Sequence, residues 1–172
     1  ADDEQTMTLI RVALFVLLGS ILIACSSGPR FLSYDGPQVT QIRVHKGSRV
    51  MELMHYDTLL RSYPIQLGGN PDGHKEQEGD RRTPEGEYII DRRNPRSQFH
   101  LSLGISYPNE ADVARAETNG WRPGGDIFIH GHGRNVRRPR GDWTDGCIAV
   151  RDREIEVIYA MVNDGTPISI YP

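Results

Sequence analysis

Two short stretches of this chain carry residues able to do covalent chemistry. The first, His130-Gly131-His132-Gly133, is entered directly from the apolar run Ile127-Phe128-Ile129. The second, Asp142-Trp143-Thr144-Asp145-Gly146-Cys147, leads into Ile148-Ala149-Val150. A free thiol is only a few per cent ionised near neutral pH, so it needs a base or a cation to act as a nucleophile. An imidazole can take that proton, which makes His130 the candidate general base, and later acid, for Cys147. A glycine before the cysteine lets the backbone approach a substrate closely. Successive N–H groups at Gly146 and Cys147 can point at one oxygen and stabilise an oxyanion. A lone cysteine is more often a small buried hydrophobe than a nucleophile. The two features together, with Cys25 the only other cysteine, favour the nucleophile reading. His130, His132 and Cys147 could also be three zinc ligands, but no second Cys and no Glu-His motif supports a site. Neither a metal nor a cofactor is expected.

The elements that must position these residues read as short strands and turns. Gly 18 and Pro 11 in 172 residues favour β-structure over a helical bundle. Ile42 and Val44 alternate, Lys46 to Arg49 makes a turn, and Val50 to Met54 returns as a hairpin. Tyr63 to Leu67 is a strand candidate, placed at an edge by Pro64. Residues 68–82 read as a polar loop. Glu87 to Asp91 is a strand after the turn Pro84-Glu85-Gly86. Phe99, Leu101 and Leu103 alternate with His100 and Ser102, which predicts a strand with two distinct faces. Ile127 to Ile129 is a further strand. Glu110 to Asn119 reads as a helix ended by Gly120. In a second helix, Asp152 to Val162, residues Ile155, Ile158, Tyr159 and Val162 share one face, and Asp152 is placed to cap it. Ile168 and Ile170 alternate in a last strand. The expectation is a mainly β domain over residues 38–172 with one or two helices.

Lys+Arg 20 against Asp+Glu 23 leaves a net charge of -3, so the basic excess of a nucleic-acid binder is missing. The chain start reads as an address. Val12 to Ala24 is an uncharged apolar run of signal-peptide length, too short to span a bilayer as a helix. It ends Leu22-Ile23-Ala24-Cys25, which resembles a bacterial lipobox with Cys25 as the lipidated residue. Residues 1–25 are then a signal, of which the acidic residues 1–6 before Met7 fit poorly and read as an artefact. Residues 26–37, rich in Ser, Gly and Pro, read as a tether. The protein is expected to be exported and periplasmic. It would be anchored by its lipid to a membrane, and Ser26 after the cysteine leans towards the outer one.

His130-Gly131 followed, after 16 intervening residues, by Thr144-Asp145-Gly146-Cys147 resembles the L,D-transpeptidase (YkuD-type) catalytic domain. Thr83-Pro84-Glu85-Gly86-Glu87-Tyr88, Ser106-Tyr107-Pro108-Asn109, Pro123-Gly124-Gly125-Asp126 and Asp164-Gly165-Thr166-Pro167-Ile168 extend the match. The resemblance implies a β-sandwich-like fold and action on peptidoglycan stem tetrapeptides. Cys147 would take the acyl group as a thioester, releasing the fourth residue, D-Ala, and the amine of another stem would resolve it. It also implies that Gly131 orients His130 through its backbone carbonyl. Tyr107, Arg134, Thr144 and Asp145 are expected to contact substrate.

Many members carry His where Asp145 stands, and a polar Arg or Asn where Ala149 stands. An acidic neighbour opposes thiol ionisation unless arginines offset it. Arg134, Arg137, Arg138 and Arg140 are close in sequence, as a solvated loop or as carboxylate ligands. Three readings stay open: a transpeptidase, a peptidoglycan L,D-endopeptidase or amidase-type hydrolase on the same site, and a non-catalytic peptidoglycan-binding lipoprotein. The oligomeric state is left open.

Overall fold

The computed structural model describes residues 29–134, 136 and 139–172. The signal, Cys25, Arg137 and Arg138 lie outside the described residues. The predicted hairpin is present as β1 (Gln41–His45) and β2 (Val50–His55), paired antiparallel. β3 (Thr58–Pro64) continues the meander along β2 and forms one edge of the sheet. It starts five residues before the expected strand. Most of its side chains are exposed, so it lacks the alternation that marks a half-buried strand. Beyond Pro64, Gln66 and Gly68 form only single bridges, to Ala149 and Thr144.

β4 (Gly86–Asn94) is the strand on which the sheet turns. Its first residues pair with β8 (Pro167–Tyr171), and its later ones pair with β5 (Ser102–Ile105) after a register shift between Ile90 and Arg92. A bulge of this kind bends a strand and strengthens its twist. The order is β3-β2-β1-β8-β4-β5-β6-β7, with β6 (Phe128–His130) and β7 (Ile148–Ala149) at the far end. The Gln66–Ala149 bridge brings that end back to the chain leaving β3, so the sheet curls over one core. Ile42, Val44 and Leu53 from one half meet Leu103, Ile129 and Ile148 from the other in that core.

The first helix, α1 (Glu110–Thr118), starts at Asn109, whose side chain takes the Asp112 N–H while Asp112 takes the Asn109 N–H. α2 (Asp152–Met161) buries the predicted face, Ile155, Ile158 and Tyr159, with Val162 following. Arg93 holds its end: the guanidinium donates to the Val162 and Tyr159 carbonyls and lies 3.8 Å from the Tyr159 ring centre.

Three expectations need correction. The strand expected from Phe99 starts at Ser102, because His100 has φ 76°, a left-handed value outside the β region. All four residues of β5 are buried, so it has no solvent face. Asp152 is not the helix cap: Arg151 occupies that position and Glu154 accepts its N–H. The expected tether is not free along its length. The Arg30 N–H donates to Glu156 at 3.0 Å, and Phe31 meets the Tyr159 ring edge-on. No helix among the described residues is long and apolar enough to cross a membrane.

Arg93→Ala removes two charge-assisted hydrogen bonds and a cation–π contact, and is expected to destabilise by about 2 kcal/mol. In a thermal melt this should lower the midpoint by roughly 4–8 °C.

Candidate active site

β6 and β7 run parallel with Ile129 opposite Ile148 and His130 opposite Ala149. Stepping this register back one residue puts Cys147 opposite Phe128. Side chains two apart on a strand share a face, so His130 and Cys147 are diagonal neighbours on one side of the sheet. Both line the same cavity of about 360 Å³, together with Phe128, Phe99 and Asp126.

His130 is 3% exposed and held on every side. Its ring stacks on Phe99 at 4.5 Å and meets the edge of Trp143 at 5.8 Å. Its Nδ1 lies 2.6 Å from the Gly131 carbonyl oxygen. A carbonyl can only accept, so Nδ1 carries the proton and Nε2 keeps the free lone pair. Gly131 makes this arrangement possible: a Cβ there would sit 2.6 Å from the Asp152 carboxylate and 2.9 Å from the Phe99 carbonyl. Asp152 completes the support. Its Oδ1 accepts the N–H groups of His132 and Gly133 at 2.8 and 2.9 Å, fixing the loop that turns the Gly131 carbonyl back onto His130.

Cys147 is half-buried on a turn closed by Thr144. The Thr144 hydroxyl donates to the Cys147 carbonyl at 2.7 Å and accepts the Gly146 N–H at 3.2 Å. Gly146 has φ 126°, and a Cβ there would meet the Arg82 carbonyl at 2.6 Å, so only glycine fits. The thiol itself lies 3.5 Å from the Asp126 carbonyl oxygen.

These contacts revise several expected roles. The Gly146 N–H is already engaged by Thr144, which leaves Cys147 as the expected oxyanion donor still open. Thr144 is buried and spends its hydroxyl on the turn that carries Cys147. Tyr107 is buried as well, donates to the Pro123 carbonyl, and does not line the cavity. Arg134 and Asp145 are exposed and do not line the cavity, and Asp145 pairs with Arg81 at 3.3 Å. Among the described residues, no three His, Cys, Asp or Glu side chains form a group that could hold a metal ion. His132 turns its Nε2 to Gln66 Oε1, an acceptor shared with the Trp143 indole.

The family model of the YkuD L,D-transpeptidase catalytic domain matches residues 40–170, which include every residue of the site just described. The chain belongs to this family. A curated relative is YafK of Escherichia coli K12, provisionally named an L,D-transpeptidase, 29% identical over 144 residues. That alignment covers 76% of this chain and 53% of YafK, so the chain spans about half the length of the curated relatives it matches. Among solved structures, the helical cell shape determining protein Pgp2 from Campylobacter jejuni has a TM-score of 0.62 and 23% identity. The alignment covers 84% of this chain and 51% of Pgp2. Bdellovibrio bacteriovorus Bd1075 has a TM-score of 0.57 and 24% identity, over 82% and 51% of the two chains. At these identities the two structures establish a shared fold.

In this L,D-transpeptidase domain, the electrostatics describe a neutral resting pair. Burial pushes the Cys147 thiol up to about 11, and the Asp145 and Asp126 charges push the same way. A backbone hydrogen bond from Phe128 and the Lys75 charge oppose them. Burial lowers the His130 pKa, and the Gly131 contact offsets this only in part. At neutral pH the imidazole is therefore unprotonated and the thiol intact. Neither group rests as an ion.

Two outcomes are expected. Alkylation of Cys147 by iodoacetamide should speed up about tenfold per pH unit from 7 towards 11, because thiolate is the reactive form. A rate plateau below pH 8 would show a thiolate already formed. Asp152→Ala should destabilise by about 2 kcal/mol through two orphaned N–H groups. Asp152→Asn, which keeps an acceptor oxygen, should recover most of that loss in the same thermal melts.

Proposed function

We propose that this domain is a cysteine acyltransferase acting on peptidoglycan stem tetrapeptides, with Cys147 as nucleophile and His130 as general base and then acid. The observation that carries the reading is the shared cavity: Cys147 and His130 line it together, with His130 Nδ1 held by Gly131 so that Nε2 is the basic nitrogen. The thiol proton passes to Nε2 as sulfur bonds to the carbonyl carbon of the third residue. The Cys147 N–H stabilises the oxyanion. The bond to the fourth residue then breaks, and Nε2 returns the proton to the departing D-Ala amine. An amine of a second stem attacks the thioester, loses its proton to Nε2, and leaves the thiol restored. The low His130 pKa suits this cycle, since the base is free at neutral pH. On the same reading the domain works outside the cytoplasm, held near its substrate by lipid on Cys25.

A second reading keeps the same residues and replaces the acceptor amine by water. The partial exposure of Cys147 favours it, because water can reach the thioester. Mass analysis of muropeptides after incubation with the protein separates the two. A cross-linked dimer is expected from the transferase, and a stem shortened by one residue from the hydrolase. Cys147→Ala should yield neither while keeping its fold, checked by circular dichroism. Product formed at the parent rate by this variant would refute both.

A further inference from the structure

α2 carries a second carboxylate one turn beyond Asp152. Glu156 lies four residues on, so the two share a face of the helix. Asp152 fixes the loop after β6, and Glu156 joins two other parts of the chain. It is buried, and its Oε1 accepts from His100 Nε2 at 2.8 Å and from the Arg30 backbone N–H at 3.0 Å. Burial pushes the Glu156 carboxyl up, but the Arg30 N–H and His100 outweigh it and hold the group below its ordinary value, so it is charged at neutral pH. The Arg30 segment is laid along the helix, with Phe31 edge-on to the Tyr159 ring one turn further. His100 matters through its neighbour, because Phe99 stacks on the His130 ring at 4.5 Å. Among the described residues, the hydrogen bonds of Arg96 and Phe99 are local, to Asn94 and Ser97, and the His100–Glu156 bond is the one by which residues 95–100 reach another element. His100 also sits at φ 76°, and a left-handed backbone at a side-chain-bearing residue persists where the surroundings over-determine it.

We infer that Glu156 and His100 are positioning residues for His130, and that the segment at Arg30 must be docked on Glu156 for that base to be held. One oxygen between two donors is fixed from both sides. Glu156 then pins His100, His100 pins the loop before β5, and Phe99 stays over the imidazole, closing it from water and keeping its ring in one plane. With the segment undocked, Oε1 loses a donor and the carboxylate is free to turn to water. The hold on His100 weakens, and Phe99 loosens from the ring. Proton transfer needs the imidazole in one orientation towards the thiol, so a loosened ring slows the chemical step while leaving the substrate contacts in place. The entry of the chain into the domain is thereby coupled to the active site through one carboxylate, and whatever draws the segment off α2 slows the reaction. The inference rests on His130 being the base proposed above.

The test uses three variants of the full chain and two readings, kcat and KM on a tetrapeptide stem and the proton NMR signal of His130 Hε1. A ring stacked on the imidazole shifts that signal upfield, so loss of the stack moves it downfield whether or not the enzyme turns over. Glu156→Ala should lower kcat about tenfold with KM nearly unchanged, and should move the signal downfield. Glu156→Gln keeps an oxygen for both donors and should restore both readings. Arg30→Pro deletes the backbone N–H and leaves α2 and His100 untouched; Pro29 before it already favours the extended backbone that a following proline requires. It should change both readings in the same direction as Glu156→Ala. Each variant is compared with the parent well below its melting midpoint, which separates loosening of the site from unfolding. An unmoved signal in Glu156→Ala, or a fall in kcat that Glu156→Gln does not restore, would overturn the positioning role. Parental readings from Arg30→Pro would overturn the coupling to the segment. A parent chain that turns over no stem would remove the proposed function, and the NMR signal would still show whether Glu156 and Arg30 hold Phe99 on His130.

Discussion

The Asp152 carboxylate accepts the N–H groups of His132 and Gly133, and the geometry of the site follows from that interaction. The two hydrogen bonds draw the loop after β6 onto the start of α2. The loop can close that tightly only because residue 131 has no side chain. Closure turns the Gly131 carbonyl onto His130 Nδ1 and so decides which ring nitrogen is basic. α2 is itself fixed by its buried face and by Arg93 at its far end. The core packing of one helix thus reaches the tautomer of one imidazole through a single carboxylate.

A second constraint acts on the sulfur. The turn that presents Cys147 is closed by Thr144 and lies against the Arg82 carbonyl, so the thiol is delivered to a partly buried position beside two acidic residues. That environment favours the neutral thiol. Burial likewise favours the neutral imidazole. Both groups are therefore uncharged at rest, and on the proposed reading the thiol gives up its proton only as it attacks. This limits side reactions of the thiol, because a protonated sulfur is a poor nucleophile towards anything not held against it.

Much of this was legible in the residues. His130, Cys147 and the glycines beside them are marked by their own types and spacing, the hairpin and α2 by their periodicity, and α1 by the glycine that ends it. What was not legible depends on residues far apart in the chain. Asp152 reads locally as a helix cap, since nothing near it shows that a loop twenty residues earlier will come to its carboxylate. Thr144 and Tyr107 read as substrate contacts because their motif gives no burial, and the fold turns both inward. β3 is mostly exposed and so lacks a pattern. The cavity wall brings Arg96, which belongs to no motif, together with Asp126, whose motif gives no sign that it ends beside the thiol.

The claim on which the rest stands is that a stem peptide acylates Cys147. The most direct measurement is intact-protein mass spectrometry of the parent chain, mixed with a tetrapeptide stem and quenched in acid at early times. The account predicts an added mass equal to the stem less its fourth residue, placed on Cys147 by peptide mapping. Turnover of the stem with no such adduct, or with an adduct on another residue, would contradict it.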